Sequence, residues 1–136
     1  MTQNQNPWLV VGAVMGGLAV ALGAFGAHGL EAHLAKAGGD PARLLAIWDT
    51  ASEYQMMHAL ALLAVGLVAA RGGGRSVWLA GMAMTLGTLV FSGCLYALVL
   101  SGQKGLGAVV PIGGVLLIVG WVCLAVGAAA MARREP

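Results

Sequence analysis

The sequence predicts an all-α membrane protein: four transmembrane helices in a bundle, with an amphipathic interfacial helix between helices 1 and 2. Three observations carry this. The 136 residues are 60% hydrophobic and only 9% charged, with a mean hydropathy of +0.88, whereas a soluble domain carries roughly 25% charged residues. The apolar residues gather into four runs, each near the roughly 20 residues that cross a ~30 Å hydrocarbon core. Short polar, glycine-rich turns separate the runs, except where residues 41–53 alternate as an amphipathic helix does.

The same composition excludes other classes. Seven Lys and Arg with five Asp and Glu cannot solvate a water-soluble globule, so the lipid bilayer is the solvent for most of the chain. The net charge of +2 is spread thinly, without a basic stripe or interleaved aromatics, which argues against nucleic acid as a partner. Cys94 and Cys123 lie inside apolar runs, with neither a CxxC pair nor a zinc-ligand spacing, and read as small packing residues. Residues 1–136 form one domain.

Residues 1–6 are a polar tail without Lys or Arg. The first span, about 8–28, opens on Trp8, an expected interfacial anchor. Ala24-Phe25-Gly26-Ala27 resembles a signal-peptide cleavage site, but the basic leader is missing and the apolar run is too long, so the helix is expected to stay in place. Gly12, Gly16, Ala19, Gly23 and Gly26 or Ala27 recur at spacings of four and three, which is one helix face. In lipid, helices associate through close van der Waals contact that small residues allow; this face should touch another helix. His28 to Lys36 then forms a short interfacial piece, which Gly38-Gly39 ends.

Asp40-Pro41 starts the next helix, Asp as N-cap and Pro at the first helical position. Leu44, Ile47, Trp48 and Ala51 make one face of residues 41–53, and Arg43, Ala46, Asp49, Thr50 and Glu53 the other. The simplest expectation lays this helix on the membrane with Trp48 at headgroup level; without an intervening proline it can also run straight into the second span, 54–70. Arg71 to Arg75 is a basic glycine turn. The third span, 77–100, carries Gly81, Thr85, Thr88 and Ser92 on one face. The fourth apolar run is longer than one upright span needs. Either Pro111 sits in the first turn of a 111–132 helix behind a separate leading segment, or one long helix kinks near it. Gly113, Gly120 and Gly127 recur at seven, a second packing face.

Orientation follows from Lys and Arg in the short loops. Arg71, Arg75, Arg133 and Arg134 share the side of the termini, against Lys36, Arg43 and Lys104 on the other, which places both termini in the cytoplasm.

Four motifs also resemble a known family. Gly23-Ala24-Phe25-Gly26-Ala27-His28-Gly29-Leu30, Tyr54-Gln55-Met56-Met57-His58-Ala59-Leu60-Ala61, Phe91-Ser92-Gly93-Cys94-Leu95-Tyr96 and Gly107-Ala108-Val109-Val110-Pro111-Ile112-Gly113-Gly114 resemble the domain-of-unknown-function 423 family. These are YgdD/YwdK-like small bacterial inner-membrane proteins, similar to eukaryotic transmembrane protein 256. Cys94 departs from the pattern, standing where serine or another small residue is expected. The resemblance implies a four-helix bacterial inner-membrane protein and assigns it no biochemical activity.

The topology brings the intramembrane polar and special positions toward one leaflet: His28, Glu53, Tyr54, Gln55, His58, Ser92, Tyr96 and Pro111. Tyr54 and His58 are four apart and share a helix face, as do Ser92 and Tyr96. An ionisable group at membrane depth costs a few kcal/mol and should face inward with a partner. For His58 the candidates are Tyr96, Ser92, Glu53 or a carbonyl near Pro111.

Four readings compete. The polar groups tie helices together; or they line a pocket for a bound lipid, quinone or small solute; or His28 and His58 ligate metal or haem, for which no paired histidine spacing speaks; or they catalyse, for which no nucleophile and base set is visible. Neither a cofactor nor a metal is expected. The sequence therefore points to an accessory or small-ligand/lipid-binding membrane protein without enzymatic turnover. The alternative is a transporter-like protein for a lipophilic or small solute, acting as a homo-oligomer through its glycine faces or with another membrane-complex partner.

Overall fold

The computed structural model describes residues 6–37 and 40–133, without the side chains of 35–37. Residues 1–5 of the expected polar tail, the Gly38-Gly39 stop, the Lys36 side chain and Arg134 lie outside the described residues. The chain runs as helix α1 (Trp8–Phe25), a π-helical turn (Gly26–Leu30), α2 (Glu31–Ala37), α3 (Pro41–Ala70), α4 (Gly74–Ser101), a 3-10 turn (Lys104–Ala108) and α5 (Val110–Ala132). Four stretches, Trp8–Leu34, Pro41–Ala70, Gly74–Ser101 and Lys104–Ala132, are long and apolar enough to cross a membrane.

The amphipathic stretch 41–53 takes the second of its two expected arrangements: it is the first part of α3, unbroken into the span. A 30-residue helix is about 45 Å long, well beyond the ~30 Å apolar core. Its first turns carry the charges, with Arg43, Asp49 and Glu53 exposed. The opposite face packs on protein. Trp48, expected at headgroup level, is only 1% exposed and belongs to a cluster with Leu30, Leu34 and Val99, flanked by Leu44, Ile47 and Leu98. The Asp40 side chain caps the start, accepting from Arg43 N–H at 3.3 Å, with Pro41 in the first turn.

The turns follow from the backbone they require. Gly102 adopts φ +69° and ends α4, its N–H returning to Leu98 O at 2.9 Å; the left-handed conformation suits glycine. Pro111 falls in the first turn of α5 behind the 3-10 segment, the first of the two arrangements expected for the fourth run.

Glycines set how closely the helices approach. A Cβ at Gly12 would lie 2.8 Å from Ala59 O, so α1 meets α3 backbone to backbone there. Gly16 and Gly23 sit farther off, 3.7 Å from Ala59 Cβ and 3.9 Å from Ser52 Oγ. Between α4 and α5 the fit is tighter: a Cβ at Gly113 would meet Phe91 N at 2.5 Å, one at Gly120 the Met84 side chain at 2.6 Å, and one at Gly127 would run into Val77. Trp8, expected as an interfacial anchor, is buried against Gly81, with Trp78 edge-on at 6.0 Å. It joins Met15, Leu62, Val65, Val77 and Met84 in the core at the end near the termini.

Candidate functional site

Two places concentrate polar chemistry. The first is the intramembrane set on α3 and its neighbours. Gln55 is 6% exposed, on the face of α3 that α1 and α4 cover. Its Nε2 donates to Met15 O on α1 at 2.9 Å, while its Oε1 accepts from Tyr96 OH on α4 at 3.1 Å. A primary amide offers both a donor and an acceptor, and here the two ends tie three helices together.

His58, 5% exposed, lies one turn deeper. Its Nδ1 is 2.7 Å from Tyr54 O, and its Nε2 is 3.2 Å from the Trp121 indole nitrogen on α5. A carbonyl only accepts and an indole N–H only donates. The partners therefore assign the proton to Nδ1, and the ring is neutral with Nε2 as acceptor. The Tyr54 ring lies against His58 at 6.0 Å and stacks on Phe91 at 4.6 Å.

Trp48 makes a third tie. Its indole N–H donates to Leu22 O at 2.8 Å, just before the π-helical turn, and its ring lies 4.6 Å from Tyr96. A Cβ at Gly26 would lie 2.6 Å from that indole; only a residue without one leaves room there.

The structure thus brings Tyr54, Gln55, His58 and Tyr96 together, with Ser92 buried one turn before Tyr96. It does not bring in the rest. His28, Glu53 and Pro111 are exposed. His28 sits on the π-helical turn, which carries it past the packed face, and Glu53 belongs to the wet face of α3. None of the expected partners of His58 is its partner: Tyr96 serves Gln55, and Ser92 Oγ is buried without a hydrogen bond among the described residues. Trp121 is the residue that sequence reasoning missed, and the inward tie of Trp48 was not foreseen. The signal for Trp121 was present, since no other side chain in residues 111–132 carries an N–H donor, and such a donor in lipid seeks an acceptor.

Among the described residues no three His, Cys, Asp or Glu side chains gather as metal ligands. Cys94 and Cys123 are free and half-buried.

The second place is a recess of about 580 Å³ at the end of the bundle away from the termini, between the start of α3, the end of α4 and the 3-10 turn. Arg43, Lys104 and Asp40 line it together with Leu44, Ile47 and Leu98. It was not foreseen, because its walls come from segments about 60 positions apart.

Comparison with known proteins agrees with the membrane architecture. The family model described as "Protein of unknown function (DUF423)" matches residues 22–114. A UPF0382 membrane protein of Staphylococcus saprophyticus is 42% identical over 88% of this chain and 94% of its own. The UPF0382 membrane protein YwdK of Bacillus subtilis is 42% identical over 89% and 94%, and a UPF0382 membrane protein of Haemophilus influenzae 41% identical over 90% and 94%. No solved structure matches significantly.

Proposed function

The chain belongs to the DUF423 family of membrane proteins, and from that premise we propose that it is an accessory, amphiphile-binding protein of the bacterial inner membrane, without enzymatic turnover. One observation carries the reading. Both nitrogens of the buried His58 and both ends of the buried Gln55 amide already have partners within the bundle. This engages the one buried histidine among the described residues and supports interhelical fastening over catalysis. The recess at the Asp40 and Lys104 end supplies the place for a ligand, with a volume inside the ~300–1,000 Å³ usual for small-molecule sites and walls that are part apolar and part charged.

The transport alternative has less support, since the pairs join α1, α3, α4 and α5 across the middle of the bundle. Both termini face the cytoplasm in this proposal, on the balance of basic loop residues.

Native mass spectrometry of the full chain, taken from its own membrane into a mild detergent, tests the reading. The expected spectrum contains protein with one retained lipid-sized or quinone-sized molecule. A spectrum of bare protein under conditions that preserve such adducts on other membrane proteins would contradict it.

A further inference from the structure

The recess has a division of labour in its walls. Arg43 comes from the first turn of α3 and Lys104 from the 3-10 turn after α4, so two cations separated by 61 positions in sequence line one cavity. One carboxylate faces them, Asp40, and its Oδ1 accepts from the Arg43 backbone N–H, which commits it to the helix start. Two cations against one carboxylate leave the lining net positive.

The rest of the lining is largely apolar. Leu44, Ile47 and Leu98 line the recess and also flank the cluster built on Leu30, Trp48 and Val99. The cavity is thus cut into the rim of a packed core, beside the exposed, charged start of α3. An occupant that satisfies both halves has an anionic oxygen cluster at one end and hydrocarbon at the other.

We infer that this recess binds an anionic phospholipid, with the headgroup phosphate between Arg43 and Lys104 and the upper acyl chain along Leu44, Ile47 and Leu98. This rests on the amphiphile-binding reading above and narrows it to a site and a lipid class. A guanidinium matches phosphate oxygens with two parallel N–H bonds and a lysine adds a point charge. A free phosphate would leave the leucine and isoleucine walls uncovered, and a zwitterionic lipid would bring its own cation against Arg43 and Lys104. Charge complementarity together with the apolar wall therefore selects a lipid of the surrounding bilayer.

The test uses the full chain in nanodiscs of equal parts phosphatidylglycerol and phosphatidylcholine, with bound lipid read by native mass spectrometry. Wild type should carry phosphatidylglycerol in excess over its share of the bilayer. The double variant R43Q/K104Q should lose that excess, by on the order of 25-fold, since each of the two surface cations near an anionic lipid is worth about a fivefold preference. Both positions are exposed, so the variant should keep the wild-type thermal unfolding midpoint, which separates a lost site from a lost fold.

Equal retention of the two lipids by wild type would overturn the anionic site while leaving amphiphile binding intact. Unchanged phosphatidylglycerol enrichment in R43Q/K104Q would overturn the placement. Absence of any retained lipid would overturn both readings. Inorganic phosphate added to the protein in neutral detergent should not raise its unfolding midpoint; a phosphate-dependent rise lost in R43Q/K104Q would identify a free-anion site and overturn the lipid assignment.

Discussion

Trp121 on α5 donates its indole N–H to Nε2 of His58 on α3 at 3.2 Å, joining two spans across 63 positions of sequence. Trp121 is about half exposed, at 49%, so its ring faces lipid while its polar edge reaches inward. Replacing Trp121 with Phe removes the donor and leaves Nε2 of His58 bare. Interhelical hydrogen bonds in membranes average about 0.6 kcal/mol and reach about 1.7. A double-mutant cycle on W121F and H58A, read by unfolding in detergent, should give a coupling in that range. Additive effects would mean that the pair contributes nothing.

Gln55 and Ser92 make opposite predictions from similar burial. Gln55→Leu removes bonds to Met15 O and Tyr96 OH together and should destabilise by about 1–2 kcal/mol. Tyr96→Phe removes one of those bonds and should cost less. Ser92, 2% exposed with an unpartnered hydroxyl, should be neutral or slightly stabilised as Ala, because an unmade buried hydrogen bond carries only its desolvation cost. Unfolding midpoints of the three variants rank them directly.

The α4–α5 contact predicts a steep dependence on position. At Gly113 a methyl group would meet the backbone of Phe91 and of Gly87, which cannot rotate away. Gly113→Ala should therefore destabilise by about 1–3 kcal/mol. At Gly93, two residues from Phe91, an added Cβ meets nothing within 4 Å. Gly93→Ala should be neutral or stabilising by up to about 1 kcal/mol through helix propensity. Thermal unfolding of the pair in one detergent checks the contrast.

The orientation proposed from the loop charges predicts labelling from one side only. In a background in which Cys94 and Cys123 are replaced by Ser, Lys104→Cys should react with a membrane-impermeant maleimide in intact spheroplasts. Arg75→Cys should react only after lysis. The reverse pattern would turn the protein over in the membrane.

Much of the architecture was legible in the sequence because it depends on local patterns. Apolar run length marked the four spans, the Gly12 face announced a close helix contact without naming α3 as its partner, and alternation in 41–53 separated Trp48 and Ala51 from Arg43 and Glu53. The site was legible only as a neighbourhood. Gln55, Tyr96 and His58 were placed at one end of the bundle, yet which of them pair depends on rotations and offsets between helices that no single helix encodes. The π-helical turn changes the register after Phe25 and puts His28 outside. Trp48 was misread because its amphipathic face packs on the end of α1 and on α4, where a surface helix would have packed on lipid. The recess depends on two turns meeting across the bundle, which composition cannot show.

Gln55, Tyr96, His58 and Trp121 join α1, α3, α4 and α5 through side-chain hydrogen bonds, with His58 neutral and its proton on Nδ1, toward Tyr54 O of its own helix. Nitrogen-15 NMR of the histidine ring, assigned by comparison with H58Q, reads this directly. The account predicts one protonated nitrogen, Nδ1, one bare nitrogen, Nε2, and a change at Nε2 alone in W121F. A ring protonated at Nε2, or at both nitrogens, at neutral pH would contradict it.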